Sequence, residues 1–107
     1  MGNLKKLTVI EIGANYIRGT IPSSLNSLRL LERLLLYGNS LTGSIPNLEG
    51  TNLTWIAIYD NSLTGTIPSS LGSLKFLTQL VLYGNSLEGI VLLIILFLLF
   101  EIDLFNL

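Results

Sequence analysis

Apolar residues in this chain fall on a lattice. Counted from Asn15, Asn39, Asn61 and Asn85, an apolar residue recurs eight, five and three positions earlier and again two positions later. The sets are Leu7, Ile10, Ile12 and Ile17; Leu31, Leu34, Leu36 and Leu41; Leu53, Ile56, Ile58 and Leu63; and Leu77, Leu80, Leu82 and Leu87. The four asparagines are 24, 22 and 24 residues apart, and Gly19, Gly43, Gly65 and Gly89 keep the same steps. Pro22, Pro46 and Pro68 follow in the first three copies. A fixed period of this length is the signature of a repeat architecture, which most often offers a surface. The residues five and three before each Asn alternate as in a strand, both side chains on one face. Earlier leucines such as Leu28 and Leu31 are three apart, closer to a 3₁₀ spacing. Each unit therefore reads as a short strand, a turn and a looser return, and only stacked units bury a continuous core.

The Asn ladder has a mechanical reading. After each strand the backbone turns inside the stack, away from water, and an amide side chain supplies donors and acceptors to the peptide groups stranded there. Asn15, Asn39, Asn61 and Asn85 are expected to bond to each other's turns. The glycines are read as turns that a Cβ would crowd, and the prolines as fixing the return path and ending strand pairing.

Two stretches carry a family resemblance: Leu30 to Pro46, LLERLLLYGNSLTGSIP, and Leu53 to Pro68, LTWIAIYDNSLTGTIP. They are similar to the plant-type leucine-rich repeat, L-x-x-L-x-x-L-x-L-x-x-N-x-L-x-G-x-I-P, and the pattern runs from Leu4 to Gly89. The resemblance implies an α/β repeat solenoid, a short arc with a parallel β-sheet on the concave face and 3₁₀ or loop segments on the convex face. It also implies kinship with ectodomains of receptor-like kinases and receptor-like proteins in recognition and signalling. Such proteins bind protein or peptide ligands, steroids and co-receptors, outside the cell or at the plasma membrane. The family's usual secretion signal and cysteine-bearing N-terminal cap are not matched. Met1-Gly2-Asn3-Leu4 aligns with Leu71-Gly72-Ser73-Leu74, so the chain is expected to open inside a unit, as a fragment or a truncated gene product.

Composition sharpens this by exclusion. Six basic and seven acidic residues give a net charge of −1, which offers no patch for nucleic acid. Lys5 and Lys6 precede an apolar stretch that Glu11 interrupts, so the N-terminus does not read as a signal peptide. With no histidine and no cysteine, Cys–His and Ser–His catalysis, most transition-metal sites and disulfides drop out. The glycines belong to the repeat rather than to a phosphate loop. The chain reads as a non-enzymatic binding module without cofactor or metal.

Residues six, four, two and one before each Asn are expected to point outward from the strands. They are Val9, Glu11, Gly13 and Ala14; Arg33, Leu35, Tyr37 and Gly38; Trp55, Ala57, Tyr59 and Asp60; and Gln79, Val81, Tyr83 and Gly84. With strands about 4.8 Å apart, Tyr37, Tyr59 and Tyr83 form a file of rings, with Trp55 on the far side of the sheet face. Glu11, Arg33, Asp60 and Gln79 add polar anchors to this candidate ligand-binding strip. Tyr, Trp and Arg dominate binding hot spots. Stacked tyrosines also shield a sheet without any ligand, and that reading stands beside the first. Leu35, Ala57 and Val81 are expected to be exposed apolar residues. Asn52-Leu53-Thr54 is the only N-x-S/T sequon, in an expected loop from Asn47 to Asn52 where the period shortens; it is a possible glycosylation site.

The boundary falls at Gly89, giving an array of about four units over 1–89 and an apolar tail over 90–107. Ile90 to Phe100 is unbroken apolar sequence, about half a bilayer core as a helix, so membrane association through it is one reading. Another is a degraded fifth unit, with Leu99, Ile102, Phe105 and Leu107 repeating the leucine spacing. A third is unrelated sequence joined to a truncated, non-functional array.

Overall fold

The computed structural model describes residues 5–89 and the strand Asp103–Leu104. The chain is a leucine-rich solenoid: short parallel strands joined by returns with little regular structure. Strands β1 (Val9–Glu11), β3 (Arg33–Leu35), β5 (Trp55–Ala57), β6 (Gln79–Val81) and β7 (Asp103–Leu104) form one parallel sheet in that order. A second parallel pair, β2 (Arg18–Thr20) with β4 (Ser40–Thr42), runs after the Asn turn. An isolated bridge from Thr66 to Glu88 continues it. This second ladder was not anticipated. It comes from the alternation around the residue two after each Asn: Leu41 is buried between exposed Ser40 and Thr42.

Register follows the lattice. Ile10 pairs with Leu34, Leu34 with Ile56, and Ile56 with Leu80, so residues five before each Asn stack into one buried file. Leu31, Leu53 and Leu77, Leu36, Ile58 and Leu82, and Ile21, Ile45 and Ile67 form further buried files, and Leu41, Leu48, Leu63, Leu71 and Leu74 fill the rest of the core. The first unit is less covered, because nothing described stacks on its outer side: Ile12 is 40% exposed where its counterpart Leu36 is 7%.

The returns use 3₁₀ turns at Ser23–Ser27 and Ser69–Ser73, entered from Pro22 and Pro68 at φ −69° and −63°. The return between β4 and β5 is shorter, omitting one residue before Leu48 and one after Thr51. Leu48 still reaches the core, and Thr51, where the other units carry Leu28 and Leu74, is buried with its hydroxyl donating to the Leu48 carbonyl at 2.7 Å. Gly19, Gly65 and Gly89 act through conformation rather than crowding. Gly19 has φ +95° with open space where a Cβ would go, and Gly65 has φ +81°, a region that L side chains enter at a cost.

Strand β7 pairs Gln79 with Asp103 and Leu80 with Leu104. That is the 24-residue step of a full unit, one residue earlier than the leucine spacing of the tail expects. Leu104 thus takes the register position of Leu80. Ile90 to Phe100, the candidate membrane segment, lies outside the described residues. Among the described residues no helix is long and apolar enough to cross a membrane.

Candidate functional site

The Asn ladder sets the geometry of the sheet face. The side-chain amide of Asn61 donates to the carbonyls of Leu36, Ile58 and Tyr59 at 3.1, 3.1 and 3.3 Å, and its oxygen accepts from the Leu41 N–H at 3.1 Å. Asn85 repeats the set on Ile58, Leu82, Tyr83 and the Leu63 N–H. Asn39 bonds to Ile12, Leu36 and Tyr37 and accepts from the N–H groups of Asn15 and Ile17. Each inner amide thus ties its own turn to the preceding one. Asn15 is exposed, and among the described residues its amide donates only to the Gly13 carbonyl, at 2.8 Å.

The same bonds pin the backbone that carries the rings. The Tyr37, Tyr59 and Tyr83 carbonyls each accept an Asn amide and also a backbone N–H, from Ala14, Gly38 and Asp60 respectively. The rings stack in file: Tyr37 on Tyr59 with centroids 5.0 Å apart and planes 7° apart, Tyr59 on Tyr83 at 4.7 Å and 14°. These distances match the inter-strand spacing of about 4.8 Å, so the register sets the stack. Gly13 ends the file, since a Cβ there would collide with the Tyr37 ring. All three rings are half-buried. The Tyr59 hydroxyl is held above its ordinary pKa of 10.0 by desolvation first, then by Tyr83, Tyr37 and Asp60.

Across the face, β3 and β5 set Arg33 beside Trp55. The guanidinium carbon lies 5.9 Å from the indole centroid, within cation–π range. Gln79, exposed, continues that row beyond Trp55, and exposed Glu11 sits in register with Leu35. Two expectations change. Leu35 and Ala57 are buried, at 5% and 2% exposure, and Val81 is half-buried, because in-register neighbours close over the row between the tyrosines and the Arg33–Trp55–Gln79 row. Asp60 is exposed as expected but belongs to a file of left-handed residues: Ala14, Gly38, Asp60 and Gly84 have φ of 56°, 66°, 55° and 72°. The glycines at two of these positions, Gly38 and Gly84, are the sequence signal for this conformation. The face is thus a fixed double border, tyrosines on one side and a cation, an indole and an amide on the other, with a shallow apolar floor between. Among the described residues no cluster of His, Cys, Asp or Glu has the makings of a metal site.

Comparison with known proteins follows the same residues. The family model described as Leucine Rich Repeat matches residues 30–50 and 52–74. Receptor-like protein 49 of Arabidopsis thaliana is 46% identical over 44 residues, 41% of this chain but 5% of that protein. Among solved structures, the ectodomain of the plant membrane receptor kinase GASSHO1/SCHENGEN3 from Arabidopsis thaliana, in complex with CASPARIAN STRIP INTEGRITY FACTOR 2, superposes with a TM-score of 0.77 at 43% identity. The match covers 80% of this chain and 11% of that one. The Arabidopsis receptor kinase HAESA, in complex with the peptide hormone IDA and the co-receptor SERK1, matches at TM-score 0.73 and 34% identity over 80% of this chain and 15% of that one. The chain therefore spans a small part of the relatives it matches.

Proposed function

We propose, for a chain that belongs to the plant-type leucine-rich repeat family, that its sheet face binds an extended peptide or a protein segment, as part of a receptor-like ectodomain outside the cell or at the plasma membrane. One observation carries the proposal. Tyr37, Tyr59 and Tyr83 are held as a stack by backbone bonds from the Asn ladder, opposite the Arg33–Trp55 pair. Rings whose backbone is already fixed lose little entropy on binding, and preorganised aromatic and Arg surfaces are where binding energy concentrates. Glu11, Arg33, Asp60 and Gln79 supply hydrogen-bonding groups along the borders, and Trp55 and the tyrosines supply contact area. Solved relatives carrying peptide or co-receptor partners support the same reading. A co-receptor is a second partner class, and the reaction chemistry of any longer parent lies outside this face.

The test is selection of a displayed library of extended peptides against the full chain, followed by affinity measurement on variants. Tyr59→Ala and Trp55→Ala each weaken selected peptides tenfold or more, and Lys75→Ala, on an edge away from the face, leaves them unchanged. Peptides equally sensitive to Lys75→Ala and indifferent to Tyr59→Ala would place the binding surface elsewhere. A thermal melt of each variant separates lost contact from lost fold.

A further inference from the structure

We propose that Asn52 is an N-glycosylation site whose sugar covers a groove beside the exposed Phe76 ring on the flank of the solenoid and leaves the ring face open. The inference rests on the extracellular reading above. Asn52-Leu53-Thr54 is the only sequon in the chain, and the structure adds two observations. Asn52 is exposed, on the stretch leading into β5, and its side-chain amide makes no hydrogen bond to a described residue; only its main-chain N–H is engaged, with the Leu31 carbonyl at 3.1 Å. The ladder asparagines, Asn26 and Asn47 all use their side chains: Asn26 accepts from the Gly50 N–H and Asn47 from the Glu49 N–H. Asn52 alone among the described asparagines makes no side-chain hydrogen bond, so substitution at Nδ2 costs it none.

The second observation is what lies beside it. Nine positions before the ladder Asn, Asn52 aligns with Leu30 and Phe76 of the neighbouring units, which are 49% and 60% exposed. A groove of about 320 Å³ opens between the third and fourth units, with Glu49, Asn52, Lys75 and Phe76 on its walls. Exposed large apolar side chains gathered on one flank call for a covering. The C–H face of a pyranose suits the Phe76 ring, while its hydroxyls suit Glu49 and Lys75.

In the transfer, Asn52 Nδ2 forms a bond to C1 of the first sugar of a lipid-diphosphate-linked oligosaccharide. The C1–oxygen bond to the carrier breaks, the lipid diphosphate leaves with the electron pair, and Nδ2 loses one proton to the transferase. The Thr54 hydroxyl, which the sequon requires, donates to the Glu32 carbonyl at 3.1 Å in the closed unit, so the transfer belongs to the chain before that unit folds.

The experiment secretes the full chain from a eukaryotic host behind a cleavable signal, with a tag carrying its own sequon. Mass spectrometry before and after peptide N-glycosidase is expected to find both sites occupied, and Asn52→Gln to lose one oligosaccharide while keeping the tag's. Secreted protein occupied at the tag but bare at Asn52 overturns the site. It leaves the peptide-binding reading intact, since that is measured on the ring face of unglycosylated protein. Removing the sugar should raise binding of a hydrophobic dye severalfold, and Phe76→Ser should abolish the rise. No rise would refute the covering of the groove.

Discussion

Asn61→Leu tests the mechanics beneath the face. The Asn61 oxygen is the partner of the Leu41 N–H, and Leu41 is 4% exposed, so Leu at position 61 strands a buried donor. An unsatisfied buried donor costs about 1–3 kcal/mol. The carbonyls fare better, because Leu36 keeps the amide of Asn39 and Ile58 keeps that of Asn85. The cost is therefore about 2 kcal/mol, dominated by one N–H, and the melting temperature falls by roughly 8–16 °C at this chain length. Asn15→Leu, at an exposed amide with one short-range bond, should stay within about 0.5 kcal/mol. Urea unfolding followed by circular dichroism, with the slopes compared so that only midpoints carry the difference, measures both. Sharing also predicts coupling. With Asn39 and Asn61 both changed, Leu36 loses both of its amides, so the double variant should fall by about 1 kcal/mol more than the sum of the singles. Equal losses from Asn15→Leu and Asn61→Leu, or strict additivity in the pair, would refute the bridging role of the ladder.

Three further outcomes follow from the same structure. Gly65→Ala, at φ +81° with nothing closer than 3.5 Å to the new methyl, should cost about 1–2 kcal/mol from backbone strain alone, while Asp60→Gly in the left-handed file should be tolerated; a melt on each decides. Leu63→Ala, in the middle of the core, should cost about 2–5 kcal/mol through the cavity it leaves, read by the same unfolding curve. A phenol whose folded pKa is raised keeps its contribution below the unfolded value and loses it as pH climbs past 10.0. Stability should therefore fall through that alkaline range, and Tyr59→Phe, which keeps the stacked ring, should blunt the fall in a pH series of melts.

The lattice exposed much of this fold because stacking makes every unit obey the same constraint. The buried files of Leu34, Ile56 and Leu80, the parallel register, the bridging asparagines and the tyrosine file all follow from residues recurring at fixed offsets. What stayed hidden depends on geometry rather than recurrence. Leu35 and Ala57 alternate outward as expected, yet neighbours close over them, because outward on a sheet bordered by tall side chains is not the same as exposed. The left-handed residue before each Asn is Ala, Gly, Asp and Gly in turn, so no single residue type marked it. In the second ladder β4 buries one residue between two exposed ones and β2 buries none, so no alternating apolar pair marks it. Strand β7 obeys backbone pairing with Gln79 and Leu80 over the leucine spacing, since a parallel neighbour fixes register more tightly than a degenerate apolar run.

Trp55, the only tryptophan in the chain, sits on the face assigned to the ligand and reports on it without a label. Its emission should be followed during titration with a library-selected peptide, in the native chain and in Tyr59→Ala. The account predicts a saturable change in Trp55 emission whose midpoint matches the calorimetric affinity, and a midpoint at least tenfold higher in Tyr59→Ala. Calorimetric binding that leaves Trp55 emission unchanged and survives Tyr59→Ala at full strength would contradict it.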